Sequence, residues 1–274
     1  MTATVQQSLD REWTRFTPSQ RLGRYFTYFV LVAGVVWALR TVEIIPEFLY
    51  DAPEQMADLF RRMWPVDWSH YYQTDEMGVH HALVETLHIA TLGTILAVVM
   101  AVPVALMAAR NITTLWPLNF FAKLILAASR SVNSLVWALL FVAIFGPGPL
   151  AGTFAIAFRS IGFVGKLLGE ALEEANKGTI EALQAAGSPW LSILKMGYWP
   201  QVRPAFWSIA VFRWDINVRE SAVLGLVGAG GIGMVIDTAL NTFRWDRTAM
   251  ALITILLVVL AAEVVVTFIR KRII

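Results

Sequence analysis

The sequence contains no cysteine. That excludes disulfide staples, thiolate nucleophiles and cysteine-built metal sites. Charge is scarce too: Asp, Glu, Lys and Arg make up 15% of the 274 residues, against about 25% in a soluble domain. The formal net charge is only +2, too small to imply a polyanionic partner, so no nucleic acid is expected. Apolar residues fill the space, at 57%. A soluble chain of this size would not need so much to build its core. Disorder and an ordinary soluble enzyme are disfavoured, and the lipid bilayer is the natural destination of the excess. Residues 1–24 are polar and mixed in charge. They lack the apolar centre and small-residue cleavage site of a secretory leader, so they are expected to form a cytoplasmic N-terminal segment ahead of a retained membrane helix.

A spanning helix needs about 20 mostly apolar residues. Six runs fit: Tyr25–Leu39, reaching residue 45 if Arg40 and Glu43 are interfacial; Leu83–Ala109, with Pro103 as a kink; Phe120–Phe145; Leu150–Leu168, entered by Gly146-Pro147-Gly148-Pro149; Ala205–Val227; and Ala249–Ile269, broken only by Glu263. A proline inside a span is tolerated in a bundle. The expectation is an all-α integral membrane protein with about six transmembrane helices. It divides into the segment 1–24, a first transmembrane helix at 25–45, an extracytoplasmic loop at 46–82, and a core at 83–274 that carries a cytoplasmic loop at 169–203.

Even-numbered spans put both termini on one side. That side collects Arg11, Arg15, Arg21, Arg24, Arg110, Lys123, Lys166, Lys177, Lys195, Arg203, Arg270, Lys271 and Arg272, and the other only Arg40, Arg61, Arg62, Arg244 and Arg247. Positive charge stays inside, so a cell (inner) membrane protein with both termini cytoplasmic is expected. In the outer loop, Met56, Leu59, Phe60, Met63 and Trp64 recur at helical spacing, with Asp58, Arg61 and Arg62 opposite. That is an amphipathic helix, lying on the membrane surface or packed on the bundle.

The loop 169–203 suits a helix up to Gln184, rich in Ala, Leu, Glu and Gln. Gly187 fits a left-handed cap, and a second short helix should start with Ser188 as its cap and Pro189 at its first position. Small Ala182, Ala185, Ala186 and Gly187 permit close approach by another surface, and Trp190, Leu191 and Leu194 offer an apolar knob. Spacing alone suits a helix-in-groove partner contact or a hairpin packed on its own bundle.

Glu181-Ala182, Gly187 and Pro200 at their spacing resemble the EAA motif of ABC importer permeases. Leu183 replaces a small residue, and Trp199 stands where Leu commonly precedes the proline. Glu85-Thr86-Leu87, Ala108–Asn111, Ser129–Phe141, Ile161–Lys166 and Glu220–Gly233 look like the phosphonate-type branch of these permeases, although Asn133 stands where Pro is common. The resemblance runs from about Glu85 to the C-terminus. It implies a type I (MetI-like) importer bundle and a permease subunit for phosphonates, phosphite, hypophosphite or phosphate. It further implies that Glu181, Ala182, Ala185, Ala186, Gly187, Ser188, Trp190 and Pro200 couple the chain to a separate ATPase dimer carrying ATP and Mg. An extracytoplasmic binding protein and a second, identical permease subunit complete the implied assembly. No cofactor is expected on this chain, and it is not expected to be an enzyme. A methionine or osmolyte permease is the alternative within the family, and an ion-coupled carrier the one outside it.

Charges inside spans are costly and default to function. Arg130 and Asn133 are expected on one face of the third span, Arg159 in the fourth, and Arg213, Asp215, Arg219 and Glu220 in the fifth. Guanidiniums suit a phosphorus oxyanion, so Arg130, Asn133, Arg159, Arg213, Arg219 and Glu220 are candidates for the path. Structural pairing of the arginines with Asp215 or Glu220 competes with that reading. Gly228, Gly230, Gly231 and Gly233 match the spacing of a dinucleotide loop, but they follow a membrane helix where that loop requires a strand. An outer gate of flexible or close-packed backbone is expected there instead. His81, Glu85 and His88 could share a helix face, yet interfacial roles outweigh a metal site, and none is expected. No phosphate-binding Gly-Lys loop occurs: Gly165-Lys166 is followed by Leu167.

Overall fold

The computed structural model describes residues 16–42, 46–72 and 78–273. Arg11, Arg15 and Glu43 lie outside the described residues, as does most of the segment 1–24. The chain falls into two compact units, 1–58 and 59–274. In the first, α1 is Pro18–Thr41, opened by Gln20, whose side chain accepts from the backbone of Thr17 at 3.2 Å. It starts seven residues before the expected Tyr25, because polar residues continue the helix beyond the apolar run. The second helix, α2, is Pro46–Met63 and runs across the boundary at residue 58; it carries Asp58, Arg61 and Arg62.

In the second unit α3 is Val79–Ala108, α4 Trp116–Ser131, α5 Ser134–Phe145, α6 Pro149–Glu173, α7 Lys177–Ala185, α8 Trp199–Leu224, α9 Ile232–Asn241 and α10 Trp245–Ile273. Among the described residues five helical stretches, α1, α3, α6, Trp190–Asn241 and α10, are long and apolar enough to cross a membrane, and the bent pair α4–α5 makes up to six. Helices α3 and α6 form the spine, each packed along the other. Their contact stripe is small: Ala97, Ala101 and Ala105 are fully buried on α3, and a Cβ on Gly93 of α3 would lie 2.7 Å from Ile156 Cγ2 of α6. Small residues let membrane helices approach where lipid gives no hydrophobic drive.

The third expected span is not one helix. Phe120–Phe145 breaks at Val132-Asn133, and α4 and α5 meet at 92°. The cause is local: Asn133 leaves helical geometry and its side chain accepts from the Leu135 N–H at 3.1 Å, capping α5. Asn favours that position because its side chain satisfies an otherwise orphan donor. Arg130 and Asn133 therefore share no helix face.

The helix expected up to Gln184 is also two. The fourth span continues to Glu173, and Asn176 then caps α7, accepting from Gly178 at 2.9 Å. After α7, Gly187 N–H bonds to Gln184 O and Ser188 N–H to Leu183 O, with Gly187 at φ +70°. This is the paired bonding of a Schellman motif. The next helical turn, Trp190–Ser192, has Pro189 as its cap, not Ser188, because Pro189 itself stays extended at ψ 152° and the helical geometry starts one residue later. A wide π turn, Ile193–Tyr198, leads into α8, which starts earlier than the expected Ala205.

Candidate functional site: a charged cleft and an exposed elbow

Arg159 comes from the middle of α6, Arg213 and Glu220 from α8, and Arg130 from the last turn of α4. The fold brings the three arginines to one open cleft of about 430 Å³, lined also by Ala127, Ser131 and Phe163. Glu220 spans two of them: one oxygen meets Arg159 Nη1 and the other lies 3.3 Å from Arg213 Nη2. Arg130 has no ion-pair partner among the described residues and is exposed to the cleft. Three guanidiniums thus face one carboxylate.

A relay holds Arg213 in place. Arg213 Nε donates to Ser160 Oγ at 2.8 Å, Ser160 Oγ to Asn217 Oδ1 at 3.1 Å, Asn217 Nδ2 to Thr94 Oγ1 at 2.7 Å, and Thr94 Oγ1 to the Ala90 carbonyl at 2.6 Å. Every donor in the relay finds one acceptor, which is what a buried polar network needs. The Arg213 guanidinium also lies 5.4 Å from the Phe163 ring centroid, and its side chain is 4% exposed. Sequence reasoning weighed the charges and missed Ser160, Asn217 and Thr94. Their signal was available: Ser, Thr and Asn inside spans bond across helices.

Two expected path residues are placed elsewhere. Arg219 pairs with Asp215 one turn back on its own helix and does not line the cleft. Asn133 caps α5. The structural pairing weighed for Arg213, Arg219, Asp215 and Glu220 is present, and for Arg213 it coexists with a place on the cleft wall.

A second hollow of about 240 Å³ shares Ala127 and Arg130 with the first and adds Lys123, Lys166, Glu170 and Glu173. Lys166 lies 3.4 Å from Glu170, and the Arg110 N–H donates to Glu173 at 2.9 Å. Polar lining therefore continues from the cleft toward the end of the bundle that carries α7. There Ile180 of α7 is buried with Ala105, Ala109, Leu168, Leu172, Ile193 and Tyr198. This anchors the elbow by one face and leaves the other free. Glu181, Ala182, Ala185, Ala186, Gly187, Trp190 and Pro200 are exposed, and Ser188 is half-buried. Trp190, Leu191, Met196 and Trp199 add exposed apolar surface beside them.

At the opposite end the glycine segment follows α8 through the turn Gly225–Val227. Gly228, Gly230 and Gly231 all have positive φ. The segment is close-packed: Gly148 N–H bonds to Gly228 O at 2.9 Å, Ile232 N–H bonds to Thr86 Oγ1 at 2.8 Å, and a Cβ on Gly233 would lie 2.6 Å from Gly225 Cα. It ends by starting α9, a short helix within the connection between the expected fifth and sixth spans. His81 and His88 are exposed on α3 and Glu85 is half-buried. Among the described residues no group of three His, Asp or Glu could hold a metal.

Residues 101–274 match the family described as binding-protein-dependent transport system inner membrane component. The chain is 33% identical over 256 residues to the phosphate-import permease protein PhnE of Mycolicibacterium smegmatis, covering 93% of this chain and 47% of that protein. It is 34% identical over 254 residues to the phosphite transport system permease protein PtxC of Stutzerimonas stutzeri, covering 92% of this chain and 90% of that one. The chain thus spans about half the length of the first relative and nearly all of the second. Among solved structures, an inward-facing MetNI methionine ABC transporter superposes with a TM-score of 0.62 at 21% identity, over 72% of this chain and 96% of that one. The fold is that of a type I ABC importer permease.

Proposed function

From the premise that the chain belongs to the binding-protein-dependent transport system inner membrane component family, we propose that it passes phosphorus oxyanions, phosphonate, phosphite or phosphate, through the cleft of Arg130, Arg159 and Arg213. Membership makes it a multi-pass membrane transport subunit rather than an enzyme. The observation that carries the substrate reading is the charge of the cleft. Three guanidiniums against one carboxylate leave net positive potential in the middle of a bundle, and guanidinium matches tetrahedral oxyanions in shape and donors. A methionine zwitterion would bring an ammonium against the same cations. The relatives named for phosphate and phosphite import support the same class.

In this reading the elbow at 177–200 is the coupling segment. A separate ATPase dimer, carrying ATP and Mg, seats against Ala182, Ala185, Ala186 and Gly187, with Glu181, Ser188, Trp190 and Pro200 around them. ATP-driven closure of that dimer moves the elbow, and through Ile180 and its neighbours the bundle, as a rigid body. Two copies of the chain enclose the pathway, a binding protein delivers the anion at the glycine-rich end, and both termini face the cytoplasm. Arg110, Lys123, Lys166 and Lys177 gather at the elbow end, which supports a cytoplasmic elbow by the positive-inside rule.

The test is uptake of phosphite and methylphosphonate by proteoliposomes holding the complete importer, with Arg130→Gln, Arg159→Gln and Arg213→Gln introduced singly. Arg159→Gln and Arg130→Gln should lower uptake about tenfold or more, the worth of one charged hydrogen bond, while the ATPase still co-purifies. Unchanged uptake in all three variants would remove the cleft from the pathway.

A further inference from the structure

A carboxylate bonded to two arginines of a cleft that attracts anions is a rival for the same donors. We propose that Glu220 is a built-in competitor, displaced from Arg159 by the travelling oxyanion and returning to expel it. This rests on the oxyanion reading above and adds a residue that sets how tightly the cleft holds its cargo.

The three arginines differ in how fully they are engaged. Arg213 is locked by Ser160 and Phe163 and is almost fully buried. Arg130 is unpaired. Arg159 lies between: its side chain is 30% exposed on the cleft wall, it meets Glu220 through Nη1 alone, and its buried Nε has no hydrogen-bond partner. Buried donors are rarely left unmade, so Arg159 is under-satisfied where it stands and gains from a side-chain shift toward a second acceptor. Glu220 has moderate access at 18%. It can give up Arg159 and keep Arg213, so no buried guanidinium is left bare when an anion arrives. An oxyanion then meets Arg130 and Arg159, both reachable from the cleft, and the exchange costs one charged contact for another.

The device answers a problem every carrier faces. Binding must be favourable enough to admit the substrate and weak enough to release it. Three unopposed guanidiniums at one site would trap a phosphorus oxyanion. A carboxylate tethered on α8 acts as a competitor at fixed, high effective concentration and lowers affinity without removing the charge that draws the anion in. Glu220 also joins α8 to α6 through Arg159, so its displacement loosens the contact between two of the main spans as the anion passes.

The experiment is equilibrium dialysis of phosphite against the purified permease–ATPase complex in nanodiscs without binding protein, alongside uptake in proteoliposomes. Glu220→Gln should retain about tenfold more phosphite than wild type, by the worth of the lost competitor, and should turn over more slowly. Adding Arg159→Gln should abolish the extra retention. Glu220→Asp keeps the charge but is too short to reach both guanidiniums. It should fall between, and it provides the reading if the Gln variant does not assemble. Retention no higher than wild type in an assembled Gln or Asp variant, with Arg159→Gln still impairing uptake, overturns the competitor while leaving the oxyanion path standing. Uptake indifferent to Arg130→Gln and Arg159→Gln overturns both.

Discussion

The two ends of the bundle use small residues for opposite purposes. At the glycine corner, 225–233, smallness faces inward. A Cβ on Gly231 would lie 2.6 Å from Thr86 Oγ1, and one on Gly233 would lie 2.6 Å from Gly225 Cα. At the elbow, smallness faces outward. Ala182, Ala185 and Ala186 are exposed, and a Cβ on Gly187 would find nothing within 4 Å. A sequence shows the same kind of letter in both places. The structure separates them: one set of small residues lets this chain close on itself, and the other leaves room for something else to close on it.

That contrast makes stability and transport separable. Gly233→Val should have the largest effect on stability, upwards of about 3 kcal/mol, because its branches would have to displace backbone rather than a pliable side chain. It should appear as loss of the assembled complex on size exclusion and a lowered Tm. Gly187→Ala should cost about 1–2 kcal/mol, since only the left-handed φ of +70° opposes it and no neighbour is in the way. A Tm drop at Gly187 as large as that at Gly233 would erase the distinction between the ends.

Much of this architecture is legible in the sequence, for a physical reason. A helix that crosses lipid must be long and apolar, so α3, α6 and α10 announce themselves by length alone. The elbow announces itself because Gly187 and Pro189 close one helix and begin another. The bend between α4 and α5 is harder to read: Ser129-Arg130-Ser131-Val132-Asn133-Ser134 interrupts the apolar run, but a polar stretch alone does not separate a continuous span from a bent one, and the turn is made by a single side-chain hydrogen bond. Asn133-Ser134 ahead of an apolar run is a helix-start signal, outweighed in the sequence by a total length at 120–145 that suits one span. In the cleft the arginines stand out by their cost in a membrane. Which of them meet cannot be read from spacing: Arg219 and Arg213 lie on the same helix, yet one turns to Asp215 and the other to Glu220. The Ser160–Asn217–Thr94 relay that decides the matter for Arg213 is made of unremarkable letters brought together from three helices.

Asn133→Ala tests the bend at the next step down in size. Loss of the cap on α5 should cost about 1 kcal/mol and lower the Tm of the complex by a few degrees, with Asn133→Asp or Asn133→Ser restoring most of it. An unchanged Tm would mean that the 92° angle is set by packing of α5 on α6 and not by the cap.

The smallest effect on stability should come from the elbow, and there the comparison is sharpest. Ala185 is exposed in the last turn of α7, and replacing it by Gln changes helix propensity little, so stability should move by less than about 0.5 kcal/mol. Uptake should nevertheless fall, because the longer side chain holds the ATPase surface away from Ala182 and Ala186. Co-purification of the ATPase and ATP hydrolysis by the complex are the measurements to set beside the melting curve. Normal melting with weakened ATPase retention would show that the small residues here serve an external fit. Full retention and full uptake would place the elbow with the glycine corner, as a segment that is small only for the sake of its own fold.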